Sequence, residues 1–375
     1  MRVLIAGGGT GGHVYPAVAI AEEIRKQVPT ASIAYVGTRH GLEARVLPSL
    51  PWIRFFAIHA RGFPRSVGWE TVRFVWSLVT SCVQMLAVFI RFRPSVVIGV
   101  GGYGSFVPVL IGAFLARFFP IRTLIHEQNA VSGLANRALA PYVDEVLLSF
   151  PQAAASLPKV RRIAVTGNPV REEFDRMHRV PATYRSFGLD PSLRTVLVFG
   201  GSLGSSALVR SVLQAKQALA VDGSLQVLMA VGERVDERAI QEELALAGVR
   251  NVVITRYIDR MADAFAISDL IVCRAGATTL AEIALCGKPA ILVPWRGAVD
   301  DHQRANAEAL AAAGACEIAE DDDMLSCGLV SRIRGLVHDD EQLARMAGNV
   351  IRFAPRDART RILGEIRWTM KEVRA

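Results

Sequence analysis

The chain has 375 residues, 51% of them hydrophobic, more than one ordinary core needs and enough for two domains. Its five cysteines are scattered with no C-x-x-C pair, which excludes a disulfide framework or a cysteine zinc site and fits a reducing compartment. The net charge of +8 is uneven: residues 1–170 carry 17 Lys/Arg against 7 Asp/Glu (+10), and residues 171–375 carry 26 against 28 (−2).

The first predicted strand, RVLIAG, has only four consecutive apolar residues, too few for the core of a signal peptide, so none is expected. It runs into GGGTGGHVYP at 7–16, five glycines in six positions followed by His13, and then a predicted helix from about Val14 to Val28. Gly7, Gly9 and Gly12 match G-x-G-x-x-G, but a dinucleotide site also needs an acid at the end of the next strand. That strand, ASIAYVG, ends without Asp or Glu, and Arg39 leaves at most an NADP reading. Without G-K-[ST] the loop is not that of a P-loop NTPase. A tight turn with no ligand is the plain alternative, but five glycines exceed what a turn requires. Glycines admit close approach of a ligand, and the helix start offers N–H groups to negative charge.

FVWSLVTSCVQMLAVFI, residues 74–90, is uncharged and bracketed by Arg73 and Arg91. It falls short of the ~20 apolar residues of a spanning helix. It also contains Ser77, Thr80, Ser81 and Gln84, and RPSVVIGVGGYGS follows at once as a strand and a second glycine loop. The expectation is a largely buried core helix with part of its apolar face left to dock on an anionic membrane; a wholly buried helix and a spanning helix rank behind it. No acid occurs between Glu70 and Glu127, whereas Arg73, Arg91, Arg93, Arg117 and Arg122 do. Basic residues among apolar ones, with little aromatic interleaving, favour lipid over nucleic acid.

IHEQNAVSG (125–133) follows the strand TLI, and Asn-Pro in TGNPVREEF (166–174) marks a seam. The expected domains are 1–166 and 167–350, with a final helix in 351–375 from about Asp357. The second half restarts like the first: TVLVFGG, the loop GGSLGSS, a helix from about Ser206 to Ala220, then LQVLMAVG, NVVITRYI, DLIVCRAG and PAILVPW. Continuous Val/Ile/Leu strands alternating with helices predict buried parallel sheets with ligands at their carboxyl ends. In CRAGATTLAEIA (273–284), Thr278 or Thr279 is expected to cap a helix carrying Glu282 in its first turn, suited to phosphate oxygens and ribose hydroxyls. PWRGAVDDHQRANA (294–307) presents Asp300, Asp301, His302 and Gln303. HEQN is not H-E-x-x-H and no histidines pair at ligand spacing, so no metal site is expected; the D-x-D of EDDDML, from Glu320, reads as a solvated helix start.

Together GGGTGGHVYPAVAIAEEI, VIGVGGYGSFVP, HEQNAVSGLANR, GNPVRE, GGSLG, CRAGATTLAEI and DDHQRANAEAL resemble the MurG family of bacterial cell-wall glycosyltransferases, in order from residue 3 to about 315. The resemblance implies an α/β chain of two doubly wound Rossmann-like domains facing a cleft, the glycosyltransferase B fold, with a C-terminal helix. It implies inverting transfer of N-acetylglucosamine from UDP-N-acetylglucosamine to the muramyl 4-hydroxyl of lipid I, giving lipid II for peptidoglycan, with no cofactor. It further implies a peripheral enzyme on the cytoplasmic face of the cell membrane, binding an anionic surface and no nucleic acid. Carried over by motif, Ile258 meets the uracil through its backbone, and Glu282 holds the ribose. Ser202 and the helix start Ala277, Thr278, Thr279, Leu280, Ala281 and Glu282 take the diphosphate. Arg171 reaches the donor from the seam. Gln303, Asn129 and the loop Thr10, Gly11, Gly12 bracket the sugar. The family commonly has GGSQGA where this chain has Leu203 and Ser205, which removes any donor contact from that Gln, and Trp295–Arg296 are unusually bulky.

An inverting transfer needs a general base for the acceptor hydroxyl. His13, set by its glycine loop at the carboxyl edge of the sheet, is the first candidate and Glu127 the second. Against these stand purely positioning roles for either residue. A UDP-N-acetylglucosamine 2-epimerase of the same fold, an NADP-dependent oxidoreductase and a non-catalytic sugar-binding protein are the alternative functions.

Overall fold

The computed structural model describes residues 1–62, 68–201, 204–232, 235–320, 328–353 and 355–371, with side chains through Trp368. The chain divides into two compact units, Met1–Arg171 with Arg356–Ala375, and Glu172–Pro355.

In the first unit β1 (Arg2–Ala6), β2 (Ser32–Thr38), β3 (Ile53–Ile58), β4 (Val96–Gly99), β5 (Arg122–Glu127), β6 (Glu145–Leu148) and β7 (Ile163–Val165) form one parallel sheet in the order β3-β2-β1-β4-β5-β6-β7. The central strands are buried on both faces, which is why they read as continuous apolar runs. β3, β6 and β7 are short or mixed in character, and the sequence pattern does not single them out. Chain order runs outward in both directions from β1 and β4, paired Ala6 to Gly99, so the loops that follow these two strands part and leave a crevice.

One face of this sheet is covered by the helix Gly11–Gln27 and by the C-terminal helix Ala358–Lys371. Ile362, Leu363 and Ile366 are buried in the same core as Val14, Val18 and Ile24. Arg162 ties the C-terminal helix down, bonding Glu365 at 2.8 Å and stacking on Trp368 at 3.3 Å. The tail thus returns to the unit in which the chain began.

The other face is covered by the helices Trp69–Phe92 and Tyr103–Leu115. Here the structure corrects the expectation of a largely buried helix. Only 28% of the most apolar 18-residue window of Trp69–Phe92 is buried. The buried stripe is Ser77, Ser81, Met85, Val88, Phe89 and Phe92, while Trp69, Trp76, Val83 and Ile90 are exposed. The polar residues within the run explain the inversion. Ser77 and Ser81 donate to the carbonyl of His59 just beyond β3, and the Gln84 side chain accepts from the His59 amide at 2.9 Å and meets its ring at 2.8 Å. Hydrogen bonds to the sheet edge turn the polar side inward and leave the apolar side out. The helix is long and apolar enough to cross a membrane by length and composition alone. Of the arginines expected on this face, Arg122 belongs elsewhere: at the start of β5 it pairs with Asp144 at 3.4 Å.

In the second unit β8 (Arg194–Phe199), β9 (Leu225–Ala230), β10 (Val252–Thr255), β11 (Leu270–Cys273), β12 (Ala290–Leu292) and β13 (Glu317–Ile318) repeat the arrangement as β10-β9-β8-β11-β12-β13, all parallel. The helix expected over 206–220 is two, Ser206–Gln214 and Lys216–Ala220, broken where Ala215 adopts φ −93° and ψ 10°. The switch point lies between β8 and β11, so the loop from Gly200 and the turn Arg274–Gly276 share one sheet edge.

Candidate active site

In the first unit the two glycine loops flank the crevice. Thr10 precedes the helix Gly11–Gln27, and its carbonyl accepts the His13 amide at 3.1 Å. The His13 ring lies against the second loop: a Cβ on Gly101, whose φ is +89°, would stand 2.9 Å from both Cε1 and Nδ1 of that ring. Only glycine satisfies both this backbone angle and this approach. His13 Nδ1 meets Gln128 Oε1 at 3.3 Å, which links the loop to the HEQN segment. Tyr103 packs its ring 3.5 Å from the Cβ position of Gly9 and is half-exposed beside the loop.

Glu127 ends β5 and is buried. Its Oε1 accepts from the Asn129 amide at 2.9 Å and side chain at 3.2 Å; its Oε2 accepts from Gly133 N at 2.9 Å and Asn136 Nδ2 at 2.8 Å. With both oxygens held by four donors, this carboxylate shapes the HEQN loop and holds Asn129 in place. His126 is fully buried; its Nε2 lies 3.0 Å from the Gly167 carbonyl, and burial lowers its pKa against the opposing pull of that bond and of Glu127.

The acid missing from the end of β2 is supplied five positions past Thr38, its last residue, by Glu43. Fully buried, it accepts from Thr38 N at 2.7 Å, Thr38 Oγ1 at 2.8 Å and Gly9 N at 3.0 Å. A carboxylate under Gly8 and Gly9 would repel the pyrophosphate of a dinucleotide, contrary to an NADP reading. The signal for it was the E of RHGLEAR, read too strictly by strand position. Arg171 closes the first unit, its guanidinium 4.3 Å from the centre of the Tyr15 ring.

In the second unit the helix Ala277–Cys286 begins two or three residues earlier than expected, with Gly276 at the N-cap position. Thr278 and Thr279 therefore lie in the first turn and do not cap it, and Glu282 falls in the second turn. Ala277, Thr278, Ala281 and Glu282 are buried, and Leu280 is only 1% exposed. Leu280 turns its side chain into the protein, and its backbone amide donates to the Gly276 carbonyl at 3.0 Å as the first bond of the helix, so an anion would meet the amides that precede it. Ile258 is buried just after β10. The Gln303 side chain accepts from the Trp295 amide at 3.0 Å. Asp300 and Asp301 both adopt left-handed backbone, φ 52° and 50°, at the entry to His302–Ala311. Ser202 and Leu203 lie outside the described residues, as does most of EDDDML; its first residue, Glu320, pairs with Arg304 at 2.5 Å. Among the described residues no group of three His, Cys, Asp or Glu could hold a metal.

Arg274 organises this edge, a role the sequence reading did not assign. It donates to the carbonyls of Val293 and Pro294 at 3.1 Å each and to Ser205 Oγ at 3.1 Å. Ser205, one of the two departures from the family pattern, also accepts from Leu208 N at 3.5 Å as the N-cap of Ser206–Gln214. Gly204 makes the loop possible: at φ +76° its Cβ would lie 2.1 Å from the Val231 carbonyl. Asn306, fully buried, donates to Ala275 O at 3.2 Å and fixes the turn before the helix.

Residues 3–148 match the glycosyltransferase family 28 N-terminal domain and residues 195–362 its C-terminal domain. A relative from Desulfitobacterium hafniense, a UDP-N-acetylglucosamine–N-acetylmuramyl-(pentapeptide) pyrophosphoryl-undecaprenol N-acetylglucosamine transferase, is 38% identical over 92% of this chain and 93% of its own length. The crystal structure of MurG from Acinetobacter baumannii is 29% identical with a TM-score of 0.72, covering 98% of this chain and 99% of that one. The UDP-N-acetylglucosamine 2-epimerase of Neisseria meningitidis has a TM-score of 0.68 over 98% and 99% of the two chains, but at 15% identity it shares the fold alone. Two matched domains and near full-length identity therefore place this chain in glycosyltransferase family 28, among the MurG N-acetylglucosaminyltransferases.

Proposed function

We propose that the chain moves N-acetylglucosamine from UDP-N-acetylglucosamine to the 4-hydroxyl of the muramyl-pentapeptide carried on pyrophosphoryl-undecaprenol (lipid I), with His13 as general base. The observation that carries the assignment is the His13 imidazole, pinned between two glycine loops at the sheet's switch point by Gln128. As the acceptor oxygen bonds to the anomeric carbon, its proton passes to the imidazole. The bond to the diphosphate oxygen breaks, and its electron pair leaves with UDP. Glu127 acts by holding the HEQN loop and Asn129 beside the sugar, consistent with its four donors. Thr10, Gly11 and Gly12 line the acceptor side.

The donor is assigned to the second unit. Ile258 offers its backbone to the uracil, Glu282 takes the ribose hydroxyls, and the helix-start amides at 277–279 with Ser202 face the diphosphate. Charge on the leaving group is met by that helix start, an electrostatic role of the oxyanion-hole kind. Arg171 and Gln303 complete the sugar and phosphate contacts. The assay is transfer of labelled N-acetylglucosamine from its UDP donor to lipid I, read as a disaccharide lipid; absence of product from active-site-intact protein refutes the assignment.

The acceptor is a lipid, and the first unit has a surface suited to its membrane. Trp69, Trp76, Val83 and Ile90 on one helix, Phe114 on the next, and Phe118 and Phe119 just past it are exposed, with Arg91 and Arg117 exposed among them. Apolar side chains with neighbouring cations bind anionic bilayer surfaces peripherally. The protein is expected to float with anionic liposomes at low salt, and Trp76→Glu with Ile90→Glu to abolish flotation. As both positions are exposed, stability is expected to change by no more than about 0.5 kcal/mol each. Unchanged flotation of that variant sinks the docking face.

A further inference from the structure

A file of three side chains crosses the first unit: His13, with Gln128 and His126 behind it. Gln128, 2% exposed, and His126, fully buried, both come from the HEQN segment, and neither is open to solvent. Their geometry fixes which nitrogen of His13 bears hydrogen.

The file is read from its buried end. His126 Nε2 lies 3.0 Å from the Gly167 carbonyl, which can only accept, so Nε2 carries the hydrogen. In the neutral ring Nδ1 is then an acceptor, and it faces Gln128 Nε2 at 3.0 Å. The orientation of the Gln128 amide follows, because its nitrogen also meets the carbonyls of Val100 at 3.0 Å and His126 at 3.1 Å. A flipped amide would set an oxygen against two carbonyl oxygens and a ring lone pair. Gln128 Oε1 is thereby directed at His13 Nδ1, 3.3 Å away, and an amide oxygen there requires that Nδ1 donate. The neutral His13 ring is left with its basic lone pair on Nε2.

We propose that Gln128, oriented by His126, is a positioning residue that holds His13 in the Nδ1–H tautomer and so makes Nε2 the atom that takes the acceptor proton. The inference rests on His13 being the base. An amide serves here where a carboxylate is more familiar. It sets the tautomer without adding negative charge beside a ring that must work next to a diphosphate. Gly101 is part of the device, since its missing side chain lets the ring sit within reach of Gln128. The other titratable groups around this corner are Glu43 beneath Gly8, Glu127 beside His126, Tyr103 against Gly9 and Arg171 over Tyr15. The Gln128 side chain bonds none of them; its partners are His13, His126 and the Val100 carbonyl.

The test begins with the unaltered protein, labelled with ¹⁵N-histidine and assigned by loss of signals in His13→Ala. At a pH where His13 is neutral, Nδ1 should show the protonated and Nε2 the unprotonated ¹⁵N shift; the opposite pattern overturns the proposal with no variant needed. Gln128→Leu should then let the ring revert toward the Nε2–H form that a neutral histidine side chain favours in water. Its kcat should fall about tenfold or more while KM for UDP-N-acetylglucosamine stays within about twofold. Gln128→Glu, which keeps an acceptor at Nδ1, should retain the tautomer and move the acidic limb of the kcat–pH profile upward. Full kcat in a folded Gln128→Leu, with His13→Ala inactive, refutes the file and spares the base. The proposed tautomer with an active His13→Ala refutes the base assignment and with it the proposal.

Discussion

The two units share a strand order and a switch point, yet they furnish their sheet edges in different ways. The first places side chains there: His13 backed by Gln128 and His126, with Glu43 and Glu127 shaping loops from beneath. The second places backbone there: a tight loop at Gly204 and the amides of a helix start, tied together by Arg274. On the proposed reading, one edge moves a proton and the other holds an anion. Topology fixes where a ligand can sit, and loop chemistry fixes what happens to it.

The sharpest break in this comparison is a kinetic one. His13→Ala is expected to lower kcat by about 10²–10⁴-fold and leave KM for UDP-N-acetylglucosamine within a few-fold, since only proton transfer is removed. A kcat within a few-fold of the parent would take chemistry away from the first unit. Arg274→Met should act in the opposite sense. Losing three hydrogen bonds that join the loops of the second unit should raise KM for the nucleotide sugar roughly tenfold and cost about 1–3 kcal/mol in unfolding experiments. If Arg274→Met lowers kcat and spares KM, the division of labour is wrong.

The smallest effects separate the units by pH. Burial depresses the pKa of His126, so the unfolded chain binds a proton that the folded one resists. Stability should therefore fall as pH drops below about 6.5, and His126→Asn should flatten that slope. In the second unit Lys288 is pushed down to about 8, chiefly by burial, and donates to the carbonyls of Ala266 and Ser268. The unfolded lysine, near ~10.4, holds its proton to higher pH, so stability should rise from about pH 8 toward 10. Lys288→Met should remove that rise and leave the acid side untouched. Denaturant titrations across pH read both slopes.

Much of the fold is legible in the residues themselves. RVLIAG, SVVIG, TVLVFG and DLIVC announce buried parallel strands because both of their faces are covered, and the glycine loops follow them at the only places where ligands can approach. The outward face of Trp69–Phe92 is not legible in this way. Its apolar residues read as mostly core with part of one face left to dock, and only the partners of Ser77, Ser81 and Gln84 reveal that the polar side is the inner one and most of the apolar side the outer. Glu43 was hidden for a similar reason. Its carboxylate reaches the loop through a turn of the chain that no spacing rule describes.

By itself the sequence determined two doubly wound units, their glycine loops, the candidacy of His13 and Glu282, and the family. These depend on periodicity and local motifs, which are properties of short stretches of chain. The tertiary structure alone decided the return of the C-terminal helix to the first unit, the Arg274 bonds that tie the loops of the second, the four donors around Glu127, and the Gln128 amide that faces the His13 ring. Each of these depends on hydrogen-bond partners brought together from distant positions, and direction and distance at that scale exist only once the chain has folded.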